Sequence, residues 1–142
     1  MIGTMRLFGG VICAAALALA AAACSDPVAP NAPVPVTPTI TETFAGTLTI
    51  GGTDLFTFTV NQVGGLQVTL ASIQPSAAVQ LSVGTPSTST GVCEALSGLT
   101  AVAGPNAQLS GTATVPGSFC VSVTDIGNLV EAVNFTILVL HS

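Results

Sequence analysis

From Thr39 onward the chain alternates apolar and polar residues in short runs broken by Gly, Pro, Ser and Asn. Thr47–Ile50 alternates and stops at Gly51-Gly52. Leu55–Val60 sets Phe56, Phe58 and Val60 on one face and Thr57 and Thr59 on the other. Leu66, Val68 and Leu70 follow the Gly64-Gly65 pair, and Val79, Leu81 and Val83 run up to Gly84-Thr85-Pro86-Ser87. Phe119, Val121 and Val123 repeat the pattern, as do Val133, Phe135, Ile137 and Val139. A period of two is that of a strand with one face buried and the other solvated, and nothing past residue 25 sustains the helical period of 3.6. Six or more such strands predict an all-β, antiparallel sandwich or barrel over residues 39–142. Its bulk comes from Phe44, Phe56, Phe58, Phe119 and Phe135, read as core rather than as ligand-stacking rings. The Gly- and Ser-rich segment around Cys93 has the weakest strand pattern.

The N-terminal segment has a different texture. Arg6 is followed by seventeen uncharged residues, Leu7–Ala23, rich in Ala and Leu. A charged start, an apolar stretch and small residues at its end form the layout of an export signal helix, 1–23. The stretch is short and weakly apolar for a membrane span. Ala21-Ala22-Ala23-Cys24 resembles a lipobox, with Ala21 where Leu is more usual. That resemblance implies cleavage before Cys24 and a diacylglycerol thioether on its sulfur. Residues 24–38 then form a tether: five prolines between Asp26 and Pro38 exclude a helix and favour polyproline II, with a reach of roughly 40 Å. Ser25 stands where an inner-membrane retention Asp would sit, which favours the outer membrane.

Cysteine parity agrees with the lipid. Of Cys13, Cys24, Cys93 and Cys120, the first leaves with the signal and the second takes the lipid. Two remain, and an exported chain oxidises them. A Cys93–Cys120 bridge closes a loop of about 28 residues, worth roughly 3.5 kcal/mol as lost chain entropy. Without Cys-x-x-Cys spacing the pair reads as structural rather than redox-active.

Charge narrows the partners. No Lys or Arg follows Arg6, while all six acids do. Nucleic acid binding needs cationic side chains against phosphates, so it is excluded as an expectation. Catalysis lacks its usual parts. The one His, His141, is next to last, where fraying is expected; there is no Lys or Tyr in the domain, and no Gly-x-Ser-x-Gly elbow. The acids are scattered. Zinc has no His/Cys cluster to hold it. Calcium is the one cofactor with candidate ligands: Asp125, Asn128 and Glu131 around the turn 126–130, with Asp54 after Gly51-Gly52-Thr53. Against it stands the plainer reading that Asp54 and Asp125 bond to turn amides. Sugar binding is disfavoured by the absence of Trp and Tyr platforms.

Phe44-Ala45-Gly46-Thr47-Leu48 and Gly52–Val60 resemble the opening of bacterial pre-peptidase C-terminal (PPC) domains. Pro116–Asp125 resembles their late strand and Asn134–Val139 their closing strand. The likeness runs from Thr41 to the end. It implies a jelly-roll-like β-sandwich, non-catalytic and usually appended to secreted enzymes, in which Asp54 matches the usual Asp before the Phe-rich strand. This chain departs in having no attached enzyme and no Tyr or Trp, so a collagen grip does not carry over.

The expectation is a non-catalytic envelope lipoprotein. Its sandwich serves as a protein-binding or accessory module for another envelope or extracellular protein. The rivals are a structural building block and a calcium-dependent adhesin.

Overall fold

The computed structural model describes residues 39–142; the expected signal segment, Cys24 and the tether lie outside the described residues. Eight strands follow in order: β1 (Ile40–Leu48), β2 (Thr53–Val60), β3 (Gly64–Gln74), β4 (Val79–Pro86), β5 (Cys93–Ala103), β6 (Gln108–Ala113), β7 (Gly117–Thr124) and β8 (Val133–His141). They form two four-stranded sheets, β1-β8-β3-β6 and β2-β7-β4-β5, with every neighbouring pair antiparallel. Successive strands repeatedly cross between the sheets, which is the connectivity of an eight-stranded jelly roll. The all-β sandwich expected from the alternation is therefore present.

The period-two pattern decides the layering. Val133, Phe135, Ile137 and Val139 of β8 point inward, as do Phe119, Val121 and Val123 of β7. They meet Leu66, Val68 and Leu70 of β3 and Val79, Leu81 and Val83 of β4 in one buried cluster. A bulge between Leu70 and Ser72 restores Ile73 to the inside, so the extra residue costs the core no contact. Phe44 and Phe56 stack at 5.2 Å where β1 and β2 face each other at the side of the sandwich. Phe56 meets Phe135 edge-on at 6.0 Å. Phe58, Phe119 and Phe135 are buried core, whereas Phe44 and Phe56 are half-buried and pack against it.

The middle segment differs from its sequence reading. Cys93–Ala103 is an eleven-residue strand, and Gln108–Ala113 is a further one. Their alternation is masked because β5 carries a wide bulge. Leu96–Leu99 stand opposite the single residue Val83, with Gly98 at φ 79° and Leu96 and Leu99 packed on the core. Before the bulge, β5 crosses so close over β4 that a Cβ on Gly84 would overlap the Glu94 carbonyl.

His141 also departs from expectation. It is the last residue of β8 and 1 % exposed. Its Nε2 lies 2.8 Å from Glu42 Oε1, and its ring sits 5.4 Å from that of Phe58. The fraying rule fails because β8 is an interior strand, held by β1 on one side and β3 on the other.

Candidate functional site

The disulfide builds the first notable surface. Cys120 lies on the outer face of its sheet, away from Phe119 and Val121, yet is fully buried. The start of β5 covers it, and Cys93 bonds to it with Cα atoms 5.8 Å apart. This pins the segment Gly91–Ala95 as a wall along the outer face of β2-β7-β4-β5. Beside the wall lies a groove of about 410 Å³.

Strand register sets the groove floor. One row across the sheet reads Leu55, Ser122, Ser82, Thr100, and the next reads Thr53, Thr124, Gln80, Val102. Every side chain in both rows is uncharged. Ser82 is 3 % and Ser122 8 % exposed. Ser82 Oγ receives the Thr100 hydroxyl at 3.2 Å and the Gln80 amide at 3.5 Å, while the Thr53 and Thr124 hydroxyls pair at 3.0 Å. The Ser122 hydroxyl has no side-chain partner among the described residues. In the sequence these positions read only as the polar half of an alternation. Their gathering into one groove depends on register and on the Cys93 staple, neither of which a single strand reveals.

The candidate calcium ligands take separate roles. Asp125 Oδ1 accepts the N–H groups of Gly127, Asn128 and Leu129 at 2.9, 3.0 and 3.2 Å. Its Oδ2 accepts that of Gly51 at 2.8 Å, and the Asp125 N–H returns to the Gly52 carbonyl at 3.0 Å. The Gly51 N–H, seconded by those of Leu129, Asn128 and Gly127, holds the Asp125 carboxyl below its ordinary 3.8 against the opposing effect of burial. The turn-amide role is thus what Asp125 does. Asp54 instead lies within β2, half-buried on the inward side, its Oδ2 in the space a Cβ on Gly46 would need. Asn128 and Glu131 are exposed on the β7–β8 loop and border a hollow of about 100 Å³ next to Pro75 and Ala77. Among the described residues no three His, Cys, Asp or Glu side chains gather closely enough to hold a metal ion.

The sheet edges form a third feature. The β1 and β2 edges run side by side, nine and eight residues long, with no bulge in their pairing and no Pro or Lys. The only charged side chains on them are Glu42 and Asp54, one at each end of the Phe44–Phe56 stack and both on inward-facing positions. On the other side of the sandwich β5 is bulged and β6 has six residues.

No family model and no curated protein matches the chain. Four solved chains match it in structure. One is the crystal structure of Aeromonas hydrophila PliG, a periplasmic lysozyme inhibitor of g-type lysozyme, 18 % identical, covering 70 % of this chain and 83 % of that one at a TM-score of 0.49.

Proposed function

We propose that the protein is a non-catalytic envelope lipoprotein, anchored through Cys24 in the outer membrane and spaced from it by residues 24–38. Its sandwich acts as an accessory module that binds another envelope protein by strand addition at the β1/β2 side. The observation that carries this reading is the contrast between the two sides of the sandwich. Unpaired edge N–H and C=O groups are templates for an added strand, and proteins suppress them with short strands, bulges and charge. Here β5 is interrupted and β6 is short, whereas β1 and β2 stay long and regular and carry one carboxylate each, Glu42 and Asp54.

The chemistry of the partner follows from the charges. Glu42 and Asp54 flank the stacked rings, and the domain holds no Lys or Arg to answer them. A second copy is repelled, whereas an extended segment bearing Lys or Arg finds carboxylates and aromatic faces together. The resemblance to PPC domains, themselves appended modules, supports an accessory role. His141 supports it too: Nε2 engages Glu42 and Nδ1 faces the Ser142 carbonyl, so neither nitrogen is left for a nucleophile.

The test is photo-crosslinking in cells, with the reactive residue placed at Thr57 on β2 or at Thr112 on β6. A single discrete adduct from Thr57 and none from Thr112 is expected, reduced several-fold by high salt and by Glu42→Gln with Asp54→Asn. Equal adducts at both positions, or none at Thr57, overturn the assignment.

A further inference from the structure

We infer that the groove over β2-β7-β4-β5 is a second binding site, built for a neutral saccharide. The site uses the outer face of the sheet rather than the backbone edge of β2, and Thr53 and Leu55 of β2 belong to its floor. Three observations carry it.

The first is neutrality. Residues 39–142 hold five Asp and Glu and no Lys or Arg, yet none of the acids lines the groove. A cationic ligand finds no counter-charge there and an anionic one finds no cation, so the complementary ligand carries no net charge.

The second is the kind of polar group present. Thr53, Ser82, Ser122 and Thr124 offer hydroxyls and Gln80 an amide, each able to donate and accept. Ligand hydroxyls do both through one atom and match such a floor at any rotation. Ser122 lines the groove, and its hydroxyl bonds to no other side chain among the described residues. A ligand hydroxyl can take the place of solvent on such a group.

The third is the mixed lining and the rigidity. Leu55 on the floor and Val92 and Ala95 on the wall give aliphatic surface for the C–H face of a sugar ring. The wall is fixed by the Cys93–Cys120 bridge and the floor by two hydrogen-bonded rows, so the site is preorganised. At about 410 Å³ the groove falls in the range of small-ligand sites. No Trp or Tyr is present to stack on the ring, which sets the affinity at the weak end, with Kd on the order of 1 mM.

Titration of the oxidised full chain with maltohexaose and with chitohexaose, followed by amide and methyl NMR, tests the site. Polygalacturonate serves as the charged control. Saturable shifts confined to Ser82, Ser122, Thr124 and Val92 are expected with at least one neutral oligosaccharide. Whichever oligomer binds tells whether plain or N-acetylated sugars are preferred. Ser122→Ala and Gln80→Leu are each expected to weaken binding about tenfold, while Thr136→Ala on the other sheet leaves it unchanged. The thermal melts of all three variants establish that they fold. Absence of saturable shifts with either neutral oligomer, equal binding of polygalacturonate, or binding untouched by both groove variants overturns the inference. The crosslinks at Thr57 read a protein adduct and the titrations read sugar binding, so the two readings can fail separately.

Discussion

The Gly51 N–H donates to Asp125 Oδ2 at 2.8 Å, tying the β1–β2 turn to the β7–β8 loop across 74 residues of sequence. With three further amides on Oδ1, one carboxylate organises this end of the sandwich. Gly51 reaches it from φ 68°, a left-handed conformation that glycine adopts without strain.

Acid sensitivity follows from this. Because the folded-state pKa of Asp125 is lowered, its stabilising contribution is complete above the ordinary value of 3.8. It is lost as pH falls from there through the lower folded-state value. Thermal midpoints measured between about pH 2 and pH 6 should drop on the acid side. Asp125→Asn should lower the midpoint near neutrality and flatten that acid limb, since the amide replaces an acceptor with a donor facing N–H groups.

Calcium should change none of this. Both Asp125 oxygens are already taken by amides, and Asp54 sits inward against Gly46. Melts with millimolar calcium and with excess chelator should superimpose. A calcium-dependent rise in midpoint would instead mean that Asn128, Glu131 and Asp125 rearrange around an ion.

How much of this was legible in the sequence depends on the range of the interaction involved. Alternation is local, so the faces of β2, β3, β4, β7 and β8 could be read from residues such as Phe56, Val68 and Ile137. Cysteine parity found the Cys93–Cys120 pair. The strand around Cys93 was obscured because the bulge at Leu96–Leu99 breaks its period. His141 looked exposed by position, and only the pairing of β8 between β1 and β3 shows that it is buried. The groove was invisible because its floor takes side chains from four strands far apart in sequence.

Reduction of the disulfide should be costly. In the loop-entropy model the bridge is worth about 3.5 kcal/mol, or a fall of roughly 15–25 °C in midpoint for a domain of this size. Urea titrations of the oxidised and reduced protein, with Cys93→Ser/Cys120→Ser as the reference, measure it. Overlapping curves would show that the staple adds nothing to stability.

The close crossing at Gly84 gives a sharper mutation. Gly84→Ala places a methyl group against the Glu94 backbone, which is held down beside the Cys93 bridge. A loss of about 1–3 kcal/mol is expected, the range for overpacking. Gly65→Ala, where a Cβ meets open space, should fall within about 0.5 kcal/mol of the parent.

The C-terminal strand should prove essential. His141→Ala removes a fully buried ring that packs on Phe58 and leaves Glu42 without its partner. A loss of about 2–4 kcal/mol is expected, since burial and a hydrogen bond go together. Glu42→Gln keeps the packing and should cost about 1 kcal/mol. Chemical denaturation of the two variants should reproduce that order.

The most direct measurement is amide hydrogen exchange of the β1 and β2 residues, made on the protein in intact envelope fractions and again after purification. If a partner strand is added at this side, the outward-facing amides of Ile40–Leu48 and Thr53–Val60 exchange slowly in the envelope. They exchange faster by an order of magnitude or more once the protein is isolated, while β6 is unchanged. Identical exchange in both states, or protection confined to β5 and β6, would contradict the strand-addition module.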